Sequence, residues 1–80
     1  MSLNQLENYL CDELNDAEDY AKKALWLKKT SKEDSDKFLA MSKEELAHAK
    51  NFFEMIQNPD EHVVSYYSKR VAEITIMQSL

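Results

Sequence analysis

Glycine is absent from this 80-residue chain and proline occurs once, at Pro59. With the two strongest helix breakers nearly missing, helices are expected almost throughout. Cysteine also occurs once, at Cys11. That excludes an internal disulfide and makes a reduced, cytoplasmic setting the default. No apolar run is longer than a few residues, so no segment is expected to cross a membrane. Met1 to Leu6 lack the basic start and apolar run of a signal peptide. Positive charge is in the minority, with 10 Lys and Arg against 15 Asp and Glu and a net charge of −5. A nucleic-acid reader carries a basic stripe that is missing here, so nucleic acid is not an expected partner. Repeats, low-complexity tracts and Ser/Gly-rich linkers are missing too, leaving residues 1–80 as one small domain.

What is present is helical periodicity. Leu3, Leu6, Leu10, Leu14, Ala17, Tyr20, Ala21, Ala24, Leu25 and Leu27 recur at three- and four-residue steps, which predicts a first helix over about residues 3–28. Ser31 followed by Asp34 resembles a capping box and opens a second helix over about 32–57. Its apolar face is Phe38, Leu39, Leu46, Ala49, Phe52, Phe53 and Ile56. At Asn58-Pro59-Asp60-Glu61, Asn58 can cap and Pro59 suits a first helical position. A third helix follows over about 60–78, with Val63, Tyr66, Tyr67, Val71, Ile74 and Met77 as its stripe. The short connection near Lys29 to Ser31 forces the first two helices into an antiparallel hairpin. Two amphipathic helices side by side leave apolar faces in water. The expected fold is therefore all-α: a hairpin plus a C-terminal helix that completes a four-helix bundle on homodimerisation.

On a wheel of roughly 100° per residue, Glu13 lies only about 45° from the centre of the first helix's apolar face, while Asp12, Asp16 and Asp19 fall on the far side. On the second helix Glu45 is close to the apolar centre, His48 is at its edge and Glu44 points away. Glu45-Leu46-Ala47-His48 is a Glu-x-x-His step, which sets a carboxylate and an imidazole one turn apart, as in carboxylate-bridged di-iron and di-manganese bundles. Counted from the turn, Glu13 and Glu45 sit at about the same height. Burying both unpaired would cost several kcal/mol by the usual estimates, on the order of what a shared cation removes. No Lys or Arg lies on the inner faces near that level. Two copies would offer four carboxylates and two imidazoles, an oxygen-rich set unlike a closed structural zinc site.

Asp12-Glu13-Leu14-Asn15-Asp16-Ala17-Glu18-Asp19-Tyr20, followed by Glu44-Glu45-Leu46-Ala47-His48-Ala49, resembles the rubrerythrin-like branch of the ferritin superfamily and, within it, the encapsulated ferritins. The likeness runs over roughly residues 10–67 and implies a ferritin-like half-bundle whose iron site forms when two protomers meet. It implies a ferroxidase that oxidises Fe(II) to Fe(III) with oxygen, two iron ions per dimer, and Glu13, Glu45 and His48 as ligands. Manganese and zinc are the alternative ions. By the same resemblance Tyr20 is a tyrosine beside the metal with a redox role. Partners so implied are a second copy, a larger assembly of dimers and an encapsulin shell within the cytoplasm. Ile74 to Leu80 lacks the glycine-bearing cargo peptide that docks relatives in such a shell, and Asn15 and Asp19 replace acids on the relatives' iron path.

Plainer readings stand beside these. Glu18 is the substitute carboxylate if the helix is rotated. Tyr20, Tyr66 and Tyr67 read first as core aromatics. Met41 and Met55 read as packing, His62 as structural or solvated, and Cys11 as a small hydrophobe. The alternative to a ferroxidase is a non-catalytic helical dimer that holds metal or serves as a structural or partner-binding adaptor.

Overall fold

A computed structural model describes residues 3–80, with the Leu3 side chain outside the described residues. It is all-helical: α1 (Leu3–Leu27), α2 (Lys32–Met55) and α3 (Glu61–Ser79), with no strand among the described residues. The body is long and thin, 44 × 21 × 13 Å. Among the described residues no helix is long and apolar enough to cross a membrane.

The hairpin is built on small residues. Ala17, Ala21 and Ala24 of α1 and Ser35, Ser42 and Ala49 of α2 are all buried. Short side chains let the backbones approach, and two serines exploit the approach. Ser35 Oγ donates to the Ala24 carbonyl and Ser42 Oγ to the Ala17 carbonyl, each at 2.6 Å. The two bonds are one heptad apart on both helices, so they fix a single antiparallel register. Leu6, Leu10, Leu14, Ile56 and Ile74 complete the core. Burying a side chain of this size contributes about 1.5–3 kcal/mol. The serines were invisible to the apolar pattern, because a hydroxyl reads as solvent-facing unless a neighbouring carbonyl is already in reach.

Caps set the helix ends. Ser31 Oγ accepts from the Asp34 amide at 3.4 Å, as its sequence signature indicates. The second boundary differs from expectation: the N-cap of α3 is Asp60, whose Oδ1 accepts from the Val63 amide at 2.9 Å, and not Asn58. Asn58 lies at φ 51°, in the left-handed region asparagine tolerates, whereas a cap needs extended backbone. α2 ends at Met55 with Ile56 extended, and Pro59 disfavours a helical Asn58.

α3 folds back along its own hairpin, parallel to α1. Ile74 is fully buried, and the Phe53 and Tyr67 rings stack at 4.0 Å and 5°. Gln78 Nε2 donates to Ser42 Oγ at 3.0 Å, and Lys28 Nζ donates to the Leu80 carbonyl. Tyr66 belongs to a polar seam between α3 and α1 and not to the apolar stripe. Its hydroxyl takes a bond from Arg70 at 2.8 Å and lies 3.3 Å from Cys11 Sγ. Partial burial, then the Cys11 contact, push the Tyr66 phenol above its ordinary value, while Arg70 opposes the rise.

Candidate metal centre

α3 covers only one side of the hairpin. Its polar partners on α1 are Cys11, Asn15 and Glu18, a stripe of three- and four-residue steps. Tyr9, Glu13 and Tyr20 form a second stripe on α1, about 180° from the first at roughly 100° per residue. That side of the hairpin is open. Tyr9 packs on Phe52 at 5.5 Å and Tyr20 on Phe38 at 6.0 Å, one ring pair on either side of Glu13. Met41 and Met55 are exposed.

Between the ring pairs, Glu13, Glu45 and His48 converge. Each offers a ligand atom within 4.8 Å of the other two, and no other group of three His, Cys, Asp or Glu does so among the described residues. His48 Nδ1 is 3.7 Å from Glu13 Oε2 and 3.7 Å from Glu45 Oε1. The serine-fixed register brings Glu13 of α1 opposite Glu45 of α2. The Glu-x-x-His step then sets the imidazole one turn further on. Both carboxylate side chains are mostly covered, at 23 % and 21 % exposure, and His48 is half open at 52 %.

The electrostatics are those of a site short of positive charge. With both carboxyls ionised, Glu13 Oε2 is buried without a hydrogen-bond partner. The Glu13 pKa is raised from 4.5 to about 7, first by hydrogen bonding with the Glu45 carboxyl, then by burial and the Glu45 charge. Asp16 adds to the rise and His48 opposes it. A bond between two carboxyls exists only while one of them carries a proton, so at higher pH both oxygens face each other unpaired. No lysine or arginine pairs with either group among the described residues. Lys23 instead sits 5.7 Å over the Tyr20 ring.

The donor set fits a cation. An ion held at about 2.0–2.2 Å from each donor keeps its ligands no more than about 4.4 Å apart, so small side-chain rotations close the observed cluster onto one. Two carboxylates and an imidazole, with no thiolate, suit iron or manganese more than structural zinc. With Nδ1 facing the carboxylates, a ligating His48 carries its proton on Nε2.

Glu18, the substitute carboxylate, is placed elsewhere. Its Oε2 accepts from Arg70 at 2.8 Å and its Oε1 lies 3.4 Å from Lys22. Sequence reasoning missed this Arg70 seam, since nothing local announces a pairing 52 residues apart. Tyr20 lies two turns from Glu13 on the open side, its ring against Phe38. No known protein family, characterised protein or solved structure matches the chain.

Proposed function

We propose that this chain is an iron-oxidising protein of the encapsulated-ferritin kind, in which two copies pair through the open hairpin face to build a four-helix bundle around a di-iron site. The observation that carries the reading is the convergence of Glu13, Glu45 and His48 around a buried carboxylate oxygen with no partner. Pairing also suits the thin body, because it would cover the Tyr9–Phe52 and Tyr20–Phe38 rings and the exposed Met41 and Met55.

In this reading Fe(II) is the substrate. Each copy contributes two carboxylates and one imidazole, and their negative charge holds the more highly charged Fe(III) better than Fe(II), which favours oxidation. Two Fe(II) lose one electron each, and one oxygen molecule takes up both with two protons to give hydrogen peroxide. Glu13, which binds a proton near neutral pH, releases it when a cation arrives. The ring pairs flank the cluster, and pairing of two open faces would cover the half-open His48. Tyr20, against Phe38 and two turns from Glu13, takes the redox role.

Oxygen uptake on adding Fe(II) to the metal-free chain tests turnover, with helix content followed by circular dichroism. Glu45→Ala and His48→Ala are expected to abolish uptake and metal retention while leaving the helices. Variants that bind iron as the parent does would end this reading. Metal retention without oxygen uptake would instead favour the non-catalytic metal-holding dimer.

A further inference from the structure

The metal ligands sit one turn from a clamp between α1 and α2. Ala17 lies four residues beyond Glu13 and Ser42 three residues before Glu45, about 6 Å and about 4.5 Å along their helices at 1.5 Å per residue. Both are fully buried, and Ser42 Oγ donates to the Ala17 carbonyl at 2.6 Å. A second clamp, Ser35 on the Ala24 carbonyl, lies one heptad nearer the turn. α3 holds only the first. Gln78 Nε2 donates to Ser42 Oγ at 3.0 Å, and among the described residues no other side chain of α3 hydrogen-bonds α2. A hydroxyl has one proton and two lone pairs. With the Gln78 amide on a lone pair, the Ser42 proton is left to the Ala17 carbonyl, and each bond polarises the other. Tyr66 and Arg70 also tie α3 down, but to the stripe of α1 that faces away from the cluster. The end of α3 that carries Gln78 is lightly seated. Ile74 is the helix's one buried residue. Beneath the last turn lies a cavity of about 250 Å³, lined by Met77 and Leu80 of α3 and by Ala24, Leu25 and Leu39 of the hairpin. Besides the Lys28 bond to the Leu80 carbonyl, Gln78 is what fastens this end.

We propose that Gln78 is a positioning residue for the metal centre, through which α3 docking and cation binding strengthen each other. The coupling rests on Glu13, Glu45 and His48 being the cation's ligands. A cation draws its ligands to within about 4.4 Å of one another, whereas these three converge within 4.8 Å without one. Closing them requires α1 and α2 at a fixed spacing one turn away, and the clamp backed by Gln78 supplies it. When the end of α3 lifts, the Ser42 hydroxyl is free to turn from Ala17, and the hairpin loosens beside the ligands. Coupling between two binding events is reciprocal: the factor that α3 docking adds to cation affinity is the factor that the cation adds to docking. A helix on the far side of the hairpin thereby responds to whether the site is loaded.

Cys11 reports the docking of α3, because it is the chain's one cysteine and its Sγ lies 3.3 Å from the Tyr66 hydroxyl. Lifting α3 uncovers it, so its rate of labelling by iodoacetamide follows the undocked fraction. That rate and the Mn(II) affinity by titration calorimetry are measured for the parent, Gln78→Leu, Ser42→Ala and the double variant, with helix content followed by circular dichroism. In the parent, Mn(II) should slow labelling roughly three- to tenfold, the factor carried by one hydrogen bond. Gln78→Leu should weaken Mn(II) binding by the same factor and lose the slowing, with helix content unchanged. Ser42→Ala should do likewise. The double variant should bind no more weakly than Ser42→Ala, as two residues acting through one clamp require. Ser79→Ala, which removes a hydroxyl of the same turn bonded within α3, should match the parent in both readouts. Equal Mn(II) affinity in Gln78→Leu and the parent, or parent labelling that Mn(II) leaves unchanged, overturns the coupling and leaves the ligand assignment standing. A parent that binds neither Mn(II) nor anaerobic Fe(II) overturns both.

Discussion

Glu13→Gln separates the two carboxyl charges at the cluster and has a magnitude that follows from the structure. In the unfolded chain Glu13 loses its proton near 4.5, and in the fold it holds that proton to about 7. Below pH 4.5 both states are protonated and the group is neutral to stability. Between the two values the folded state binds more protons, so stability falls as pH rises, and above about 7 the whole penalty is present. At 1.36 kcal/mol per pKa unit, the rise from 4.5 to about 7 corresponds to about 3 kcal/mol. With 23 % of the side chain open to water, about 2 kcal/mol is the firmer figure. Glutamine mimics the protonated acid and has no such penalty. In urea denaturation with chelator present, Glu13→Gln is expected to show a gain on the parent that grows from pH 5 upward and reaches about 2 kcal/mol at pH 8. Adding Mn(II) at pH 8 should return the parent's loss and leave the glutamine variant unmoved. A stability difference that stays constant with pH would refute the argument that Glu13 is held unpaired.

Two further predictions concern the scaffold. Ser42→Ala leaves the Ala17 carbonyl and the Gln78 amide without their shared hydroxyl, and should cost about 1–3 kcal/mol by chemical denaturation; a loss below a few tenths would mean the serine does not fix the register. Asp60→Ala removes the cap on the Val63 amide and should cost about 0.5–2 kcal/mol, whereas Asn58→Ala should cost through backbone strain and not through a lost cap. Comparing both with Asn58→Gly, which tolerates φ 51°, distinguishes the two causes.

The helices were readable because their signals are local. An apolar period of three and four residues, an absence of glycine and the Ser31-to-Asp34 cap all lie within a few residues of what they determine. The carboxylate–histidine cluster was readable for a similar reason: one wheel position places Glu13, and the Glu-x-x-His step places Glu45 beside His48. What stayed hidden depends on chain segments far apart. Ser35 and Ser42 are core residues only because Ala24 and Ala17 present carbonyls across the hairpin. Tyr66 leaves the apolar stripe because Arg70 and Cys11 draw its hydroxyl into a seam. Asn58 gave way to Asp60 because Pro59 constrains the residue before it. That α3 returns to its own hairpin, leaving one face open, follows from the Phe53–Tyr67 and Ser42–Gln78 contacts that no periodicity encodes.

The open face and the cluster on it meet in one measurement. Metal content per chain is determined after anaerobic Fe(II) loading and desalting, with the mass of the assembly taken on the same sample. The account predicts about one iron per chain, in a dimer or a larger even-numbered assembly, as a site shared across a dyad requires. An intact dimer that retains no iron would contradict it, and Glu13, Glu45 and His48 would then be ordinary polar residues on a helical adaptor.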